Sequence, residues 1–464
     1  MRGGSAMWTG CAVIAAWAAI GCAEHRVLPS EEQDDGTGMN DSPGSTKPRL
    51  NTGNTTGAGN VDDGPADQPD REQPERDTPK PSAATDSCAV PVKTDKLDLL
   101  FMVDNSGSMA QEQSALREQF PKLISVLTSG NWGDDRPSFP PINDLHLAVV
   151  SSDLGLVGIS DIDKCQGLGD DGVMQNEPRL AGCASAYPRF LTYTAGLNSY
   201  QDVANDFACI AMLGTDGCGF EQPLETTLKS LWPGADDRIK FLGDSNNFGN
   251  LGHGDSENQG FLRSDPENGL SVVAVVLVTD EDDCSSQNTE HFTPNAYLDP
   301  NIPEEAKLLQ QGLNVRCNFN QPNLYATERY VNGLKALRPG HENMVLFAAI
   351  VGVPPETVDA NAVAGLDLGE FSQREEFYDN IMNHPDMQPV VDGRNTPDPQ
   401  DDTMRPSCNT SSGLAYPPRR IVEVARGFGA NGMVQSICQE DFGPAVDTIV
   451  RSIGQRLANA DCVL

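Results

Sequence analysis

Residues Leu97–Ser108 read LDLLFMVDNSGS. An apolar run, Leu97–Val103, passes straight into Asp104-Asn105-Ser106-Gly107-Ser108. A run that is apolar on both faces suits a strand covered by helices above and below. The short polar side chains and the glycine that follow suit a tight loop at the carboxyl end of that strand. In an open α/β sheet this edge is where ligands bind.

Other runs extend the pattern. Val272–Val278 (VVAVVLV) and Met344–Val351 (MVLFAAIV) are the most apolar segments. Leu145–Val150 (LHLAVV) reads as a fourth strand, and Gly432–Ile437 (GMVQSI) as the last, at a sheet edge. Helical periodicity lies between them. Met109–Leu127 has Ala115, Leu116, Phe120, Leu123, Ile124 and Leu127 on one side, with Pro121 predicting a kink or break. Pro223–Leu231 opens on a proline suited to a first helical turn. Ile421–Phe428 is a short candidate helix. Val446, Ile449, Val450, Ile453 and Leu457 form the stripe of a final one. The alternation predicts an α/β fold with a doubly wound, mostly parallel open sheet and helices on both faces.

The chain divides by composition. Residues 1–21 carry Arg2 and then a mostly apolar stretch too short to span a bilayer as a mature helix. Residues 22–87 are rich in Asp, Glu, Gly, Pro, Asn and Thr, and cannot repay the entropy of ordering a backbone. They read as an acidic tether, or as low-complexity sequence without a role. Residues 88–464 hold the α/β domain, with long insertions at about 152–194, 234–269, 283–326 and 352–418. Insertions of that length need a tie or a function.

Cysteines supply a tie. There are twelve. Setting aside Cys11 and Cys22 leaves an even number in the domain, as expected of an oxidised exported protein. Near-neighbour pairing suggests Cys209–Cys218, Cys165–Cys183 and Cys284–Cys317, with Cys88–Cys462 stapling the domain ends. No Cys/His cluster has zinc spacing. The acidic insertions read as plain solvated loop, with Ca²⁺ ligation at Asp161, Asp163, Asp170 and Asp171, or between Asp244 and Asp255, as the alternative.

The D-x-S-x-S arrangement of Asp104, Ser106 and Ser108 directly after a buried strand resembles the opening motif of a von Willebrand factor type A domain. Leu213-Gly214-Thr215-Asp216-Gly217, just before the Pro223 helix, resembles the loop whose threonine completes that family's metal site. Asp280, after the strongest apolar strand, matches the family's further aspartate. The resemblance implies a site for Mg²⁺ or Mn²⁺ made of Asp104, Ser106, Ser108, Thr215 and Asp280. Hard cations want such oxygen ligands. Neutral hydroxyls around the ion leave it electropositive enough to accept an Asp or Glu carboxylate from a partner protein. Asp280 is followed by Glu281, Asp282 and Asp283, then Cys284. This acidic run reads as solvated and held outward by a Cys284 disulfide, with binding of a second ion or repulsion of an acidic partner as alternatives.

The N-terminal Ala19-Ile20-Gly21-Cys22 resembles a bacterial lipoprotein cleavage site, which implies lipidation of Cys22 and, with Ala23 following, the outer membrane. Ala19 stands where that family usually carries Leu, so ordinary secretion is the alternative. The resemblance comes closest to large, cysteine-containing lipoproteins of Gram-negative bacteria. The function it implies is an envelope-anchored module that binds a protein partner. The alternative is a structural envelope protein whose metal only stabilises the fold. A formal net charge of −35 argues against nucleic acid as a partner. The chain carries no G-x-x-x-x-G-K-[ST], H-E-x-x-H or G-x-S-x-G motif, and no evident nucleophile or general base, so no enzymatic activity is expected. His146 reads as a structural strand residue.

Overall fold

The computed structural model describes residues 94–458 except 245, 247, 266–268, 294–311, 393–401 and 412. The expected lipoprotein signal (residues 1–21), Cys22, the expected tether (22–87) and the expected Cys88–Cys462 pairing lie outside the described residues. β1 (Lys96–Val103) leads into α1 (Ala110–Ser129), then β2 (Asp144–Ser151) and β3 (Leu191–Thr194). α2 (Tyr200–Ile210) and α3 (Pro223–Leu231) precede β4 (Val272–Val278). α4 (Leu313–Phe319) and α5 (Glu328–Lys335) precede β5 (Val345–Val351), which is followed by α6 (Phe371–Met382). A small hairpin, β6 (Cys408–Thr410) and β7 (Gly413–Ala415), is followed by α7 (Arg419–Gly427), β8 (Gly432–Ser436) and α8 (Gly443–Ala458).

The main sheet has six strands in the order β3-β2-β1-β4-β5-β8. All its pairings are parallel except β2 with β3. The fold is therefore the expected α/β open sheet, and β8 is an edge strand as expected. Alternation sorts the strand residues into two cores. Leu97, Leu99, Phe101 and Val103 face α1, α2 and α8, while Leu100 and Met102 face the layer of α3, α5, α6 and α7. Every residue of β4 and β5 is buried, which is why these runs carry no polar alternation.

Two helical expectations need correction or addition. α1 runs unbroken through Pro121. Leu116, Phe120, Leu123, Ile124 and Leu127 are all buried against the sheet. Pro121 lies on the exposed side, where water can satisfy the carbonyl whose helical partner is missing. The insertion 152–194 ends in β3, and α2 follows it with Ser199 as N-cap and Val203, Ala204, Phe207 and Ile210 buried.

The disulfides differ from near-neighbour pairing. Cys284–Cys317 forms as expected. Cys165 joins Cys218 and Cys183 joins Cys209, instead of Cys165–Cys183 and Cys209–Cys218. The reason is topological: Cys183 reaches the last turn of α2 and Cys165 the loop after it, so the bridges staple the 152–194 insertion to the body of the domain. Cys408–Cys438 likewise ties β6 to the turn after β8. Among the described residues, no helix is long and apolar enough to cross a membrane.

An ion network closes the amino end of the sheet. Asp98 is fully buried on β1. Its carboxylate accepts from Arg263 Nε at 2.7 Å and Arg338 Nη2 at 3.3 Å, and from Ser271 Oγ. His146 on β2 lies beside it and its Nδ1 contacts the Phe261 carbonyl at 2.7 Å, a structural position.

Candidate metal centre

Strand register assembles the centre. Val103 is paired with Ser151 on one side and Val278 on the other. The next residues, Asp104, Ser152 and Thr279, therefore come side by side at the carboxyl edge of β1, β2 and β4. This is the switch point of the sheet, where successive connections leave in opposite directions and a crevice opens. Asp104 is fully buried. Its Oδ1 accepts from the Ser106 backbone N–H at 2.8 Å and from Ser152 Oγ at 3.0 Å. Its Oδ2 accepts from Thr279 Oγ1 at 2.7 Å. The carboxylate thus shapes the D-x-S-x-S loop and tethers it to both neighbouring strands.

Ser106 and Ser108 follow in that loop with their hydroxyl oxygens 3.4 Å apart. Asp280 approaches from β4, almost fully buried, and meets the Ser108 hydroxyl. Its Oδ1 has no hydrogen-bond partner. Gln113, in the first turns of α1, brings in the Thr215 loop. Its Nε2 donates to the Asp104 carbonyl at 2.7 Å and to the Gly214 carbonyl at 2.8 Å, and its Oε1 accepts from the Gly214 N–H at 3.1 Å. Gly217 N–H donates to the Asn105 carbonyl at 2.9 Å. A Cβ on Gly217 would fall 2.2 Å from Asn105 Oδ1, so this approach requires glycine. Thr215 sits between these two anchors and is half-buried. The Cys165–Cys218 disulfide fastens the far end of its loop. All five predicted site residues therefore lie on three loops that meet at one sheet edge.

The electrostatics are those of crowded acids. Burial raises the Asp104 carboxyl above its usual range, against hydrogen bonds from Thr279, Ser106 and Ser152. Burial, then the charges of Asp104 and Glu281, push Asp280 up to about 8, with the Ser108 hydroxyl opposing. Glu112 is raised by burial and by Asp104. Its Oε2 is also unpartnered. Glu281 is pushed up to about 7 by burial and by Asp104. Glu221 is raised by burial, Glu281 and Asp104. Buried like charges with orphan oxygens are costly unless a cation offsets them. The oxygen-only donor set, with no thiolate or imidazole, fits a hard divalent ion.

Sequence reasoning missed Glu112, Gln113, Ser152 and Glu221. Glu112 had a signal: it stands on the same helical stripe as Leu116, Phe120, Leu123 and Leu127, where a carboxylate has no business without a partner. Ser152 had none, because only strand register brings it beside Asp104.

The acidic run departs from expectation. It is not solvated and held outward. Asp280 and Asp283 are buried, and Glu281 and Asp282 half-buried. Asp283 caps α3, accepting from the Leu224 N–H at 3.0 Å, and pairs with Arg420 Nη2 at 3.1 Å. Asp282 accepts from the Arg420 backbone N–H at 3.1 Å. Helix ends and a buried arginine turn the run inward.

The acidic insertions are occupied by protein donors. Asp170 Oδ2 accepts from Ser151 Oγ at 2.6 Å and Asn105 Nδ2 at 3.4 Å, which joins it to the metal-centre loops. Asp171 pairs with Lys229 and His253. Asp161 and Asp163 are exposed. Asp244 accepts the backbone N–H groups of Asn246 and Phe248, and Asp255 those of Gly234 and Ala235. Cys284, His291 and Cys317 bring ligand atoms within 4.8 Å of one another. The two sulfurs are joined in a disulfide, which leaves one imidazole and no thiolate. No family model matches this chain, and no curated protein does either.

Proposed function

We propose that this chain is an exported, envelope-anchored binding module of the von Willebrand factor type A kind. It recognises a protein partner through Mg²⁺ or Mn²⁺ held by Asp104, Ser106, Ser108, Thr215 and Asp280. The observation that carries the reading is the unpartnered Asp280 oxygen, buried beside the buried Asp104 and the two serine hydroxyls. A bound cation would supply the missing positive charge and present an open position to a carboxylate of the partner. Asp104 and Asp280 hold the site's negative charge. The hydroxyls of Ser106, Ser108 and Thr215 add neutral donors. Gln113, Ser152 and Thr279 keep the loops in place. Four disulfides among the described residues support export to an oxidising compartment. Lipidation at Cys22 would tether the module to the outer membrane.

Calorimetric titration of the oxidised protein with Mg²⁺, Mn²⁺ and Ca²⁺ tests the site. Wild type should bind, and Asp104→Ala and Ser106→Ala should not. Binding that survives in both folded variants would move the metal elsewhere. A second reading is a structural envelope protein in which the metal only stabilises the fold. The disulfide bracing around the centre favours it. The two separate on whether acidic peptides bind more tightly when the metal is present.

A further inference from the structure

A groove of about 860 Å³ runs along β8, the outer strand of the sheet. It wraps the strand edge. Leu346 and Met433 line it from the α8 face of the sheet, and Phe377 and Val434 from the face of α6 and α7. Arg451 and Ser452 of α8 belong to one wall, and Val363 and Arg374 to the other. Between the walls lies open main chain. Ile437 N–H donates to the Val351 carbonyl at 2.9 Å. Alternate residues of a parallel strand turn to the same neighbour, so the N–H and C=O of Val434 turn away from β5. Among the described residues no strand pairs with this side of β8. An open edge of this kind is a template for a further strand.

We propose that this groove receives an extended, acid-bearing segment of a partner protein, which adds to β8 as a further strand. β5 separates it from the strands that carry the metal centre, and it needs no bound cation. Handedness argues against the chain's own continuation after α8. β1 to β2 crosses by α1 on one face. β4 to β5 and β5 to β8 step the opposite way by α5, α6 and α7 on the other face, so these crossovers share one hand. α8 lies on the α1 face. A parallel strand following it beyond β8 would need the other hand, which sheets avoid. The stretch 22–87, rich in Asp, Gly and Pro, is a poor strand former. A second folded copy carries its β8 between the same walls, so two edges do not meet. Charge selects the acid. Asp447 pairs with Lys122 and Arg136, and Asp359 and Asp367 accept N–H groups of their own turns. That leaves the exposed Arg451, and Arg374 with an unpartnered Nε, to meet an incoming carboxylate.

Titration of the full oxidised chain with the peptide acetyl-Glu-Val-Thr-Val-Glu-amide tests this. EDTA is present throughout, so that a carboxylate at the metal centre contributes nothing. Wild type should bind saturably. The same peptide N-methylated at both valines keeps its side chains and loses main-chain donors, and should bind about tenfold more weakly or worse. Ser452→Trp, which fills the groove from the helix surface, should abolish binding. Arg451→Glu, at an exposed position, should weaken it about threefold or more. Equal binding of the two peptides, undiminished binding by Ser452→Trp, or none by wild type overturns the proposal. A wild-type dimer that Ser452→Trp dissociates gives the groove to a second copy instead.

Discussion

Asp280→Asn should stabilise the metal-free protein and abolish its response to metal. The Asp280 carboxyl is pushed up to about 8 by burial and by Asp104 and Glu281. A carboxyl with a raised folded-state value stabilises fully below its unfolded value near 4, and that contribution is lost as pH rises towards 8. At pH 7 the cost to the folded state is about 4 kcal/mol. The amide relieves the charge but brings two donors that need acceptors, so a net gain of about 2 kcal/mol is expected. With an unfolding entropy of roughly 2 cal/mol/K per residue over the folded span, this raises Tm by about 3 °C. Excess Mg²⁺ should reverse the ranking. A ligand at about 100 times its Kd adds about 2.7 kcal/mol to wild type and nothing to the variant. Thermal unfolding in EDTA and in excess MgCl₂, disulfides kept oxidised, reads both effects. A variant less stable than wild type in EDTA would refute the claim that this carboxylate is an uncompensated charge. A wild type that gains nothing from Mg²⁺ would refute the cation.

Three further outcomes follow from the same physics. Asp98→Ala strands the fully buried Arg338 and should destabilise by about 3–5 kcal/mol in denaturant unfolding; a loss below about 1 kcal/mol contradicts the network. The His291 imidazole is pushed down to about 4 by burial and by Arg316. Its contribution is complete above pH 6.5 and lost as pH falls towards 4, by about 3 kcal/mol, so His291→Asn should flatten the pH dependence of stability in that window. Replacing Cys183 and Cys209 with serine opens a bridge of sequence separation 26. The chain-entropy cost is about 3.5 kcal/mol, and limited proteolysis should then cut the 152–194 insertion first.

Much of the scaffold was legible. Val272–Val278 matched β4 residue for residue, and Leu97–Val103 and Leu145–Val150 each grew by one residue or two. Strands buried on both faces leave an unbroken apolar signature. β3 and the β6–β7 hairpin were not legible. They are only three or four residues long, and pairing partners, not local pattern, define them. α2 could have been read from Ser199 and its four buried positions.

By itself, the sequence determined the α/β class, the central strands and the D-x-S-x-S loop, because burial periodicity and turn chemistry are local. The tertiary structure alone decided which cysteines pair, that the acidic run turns inward to α3 and Arg420, and that Ser152, Gln113 and Glu221 converge on the centre. Those outcomes depend on which strand carboxyl ends lie side by side, and parallel register sets that between segments far apart in the chain. The charge of the centre belongs to the same class. A lone Asp280 is an ordinary surface carboxylate in sequence; burial beside Asp104, Glu281 and Glu112 raises its carboxyl far above the usual range.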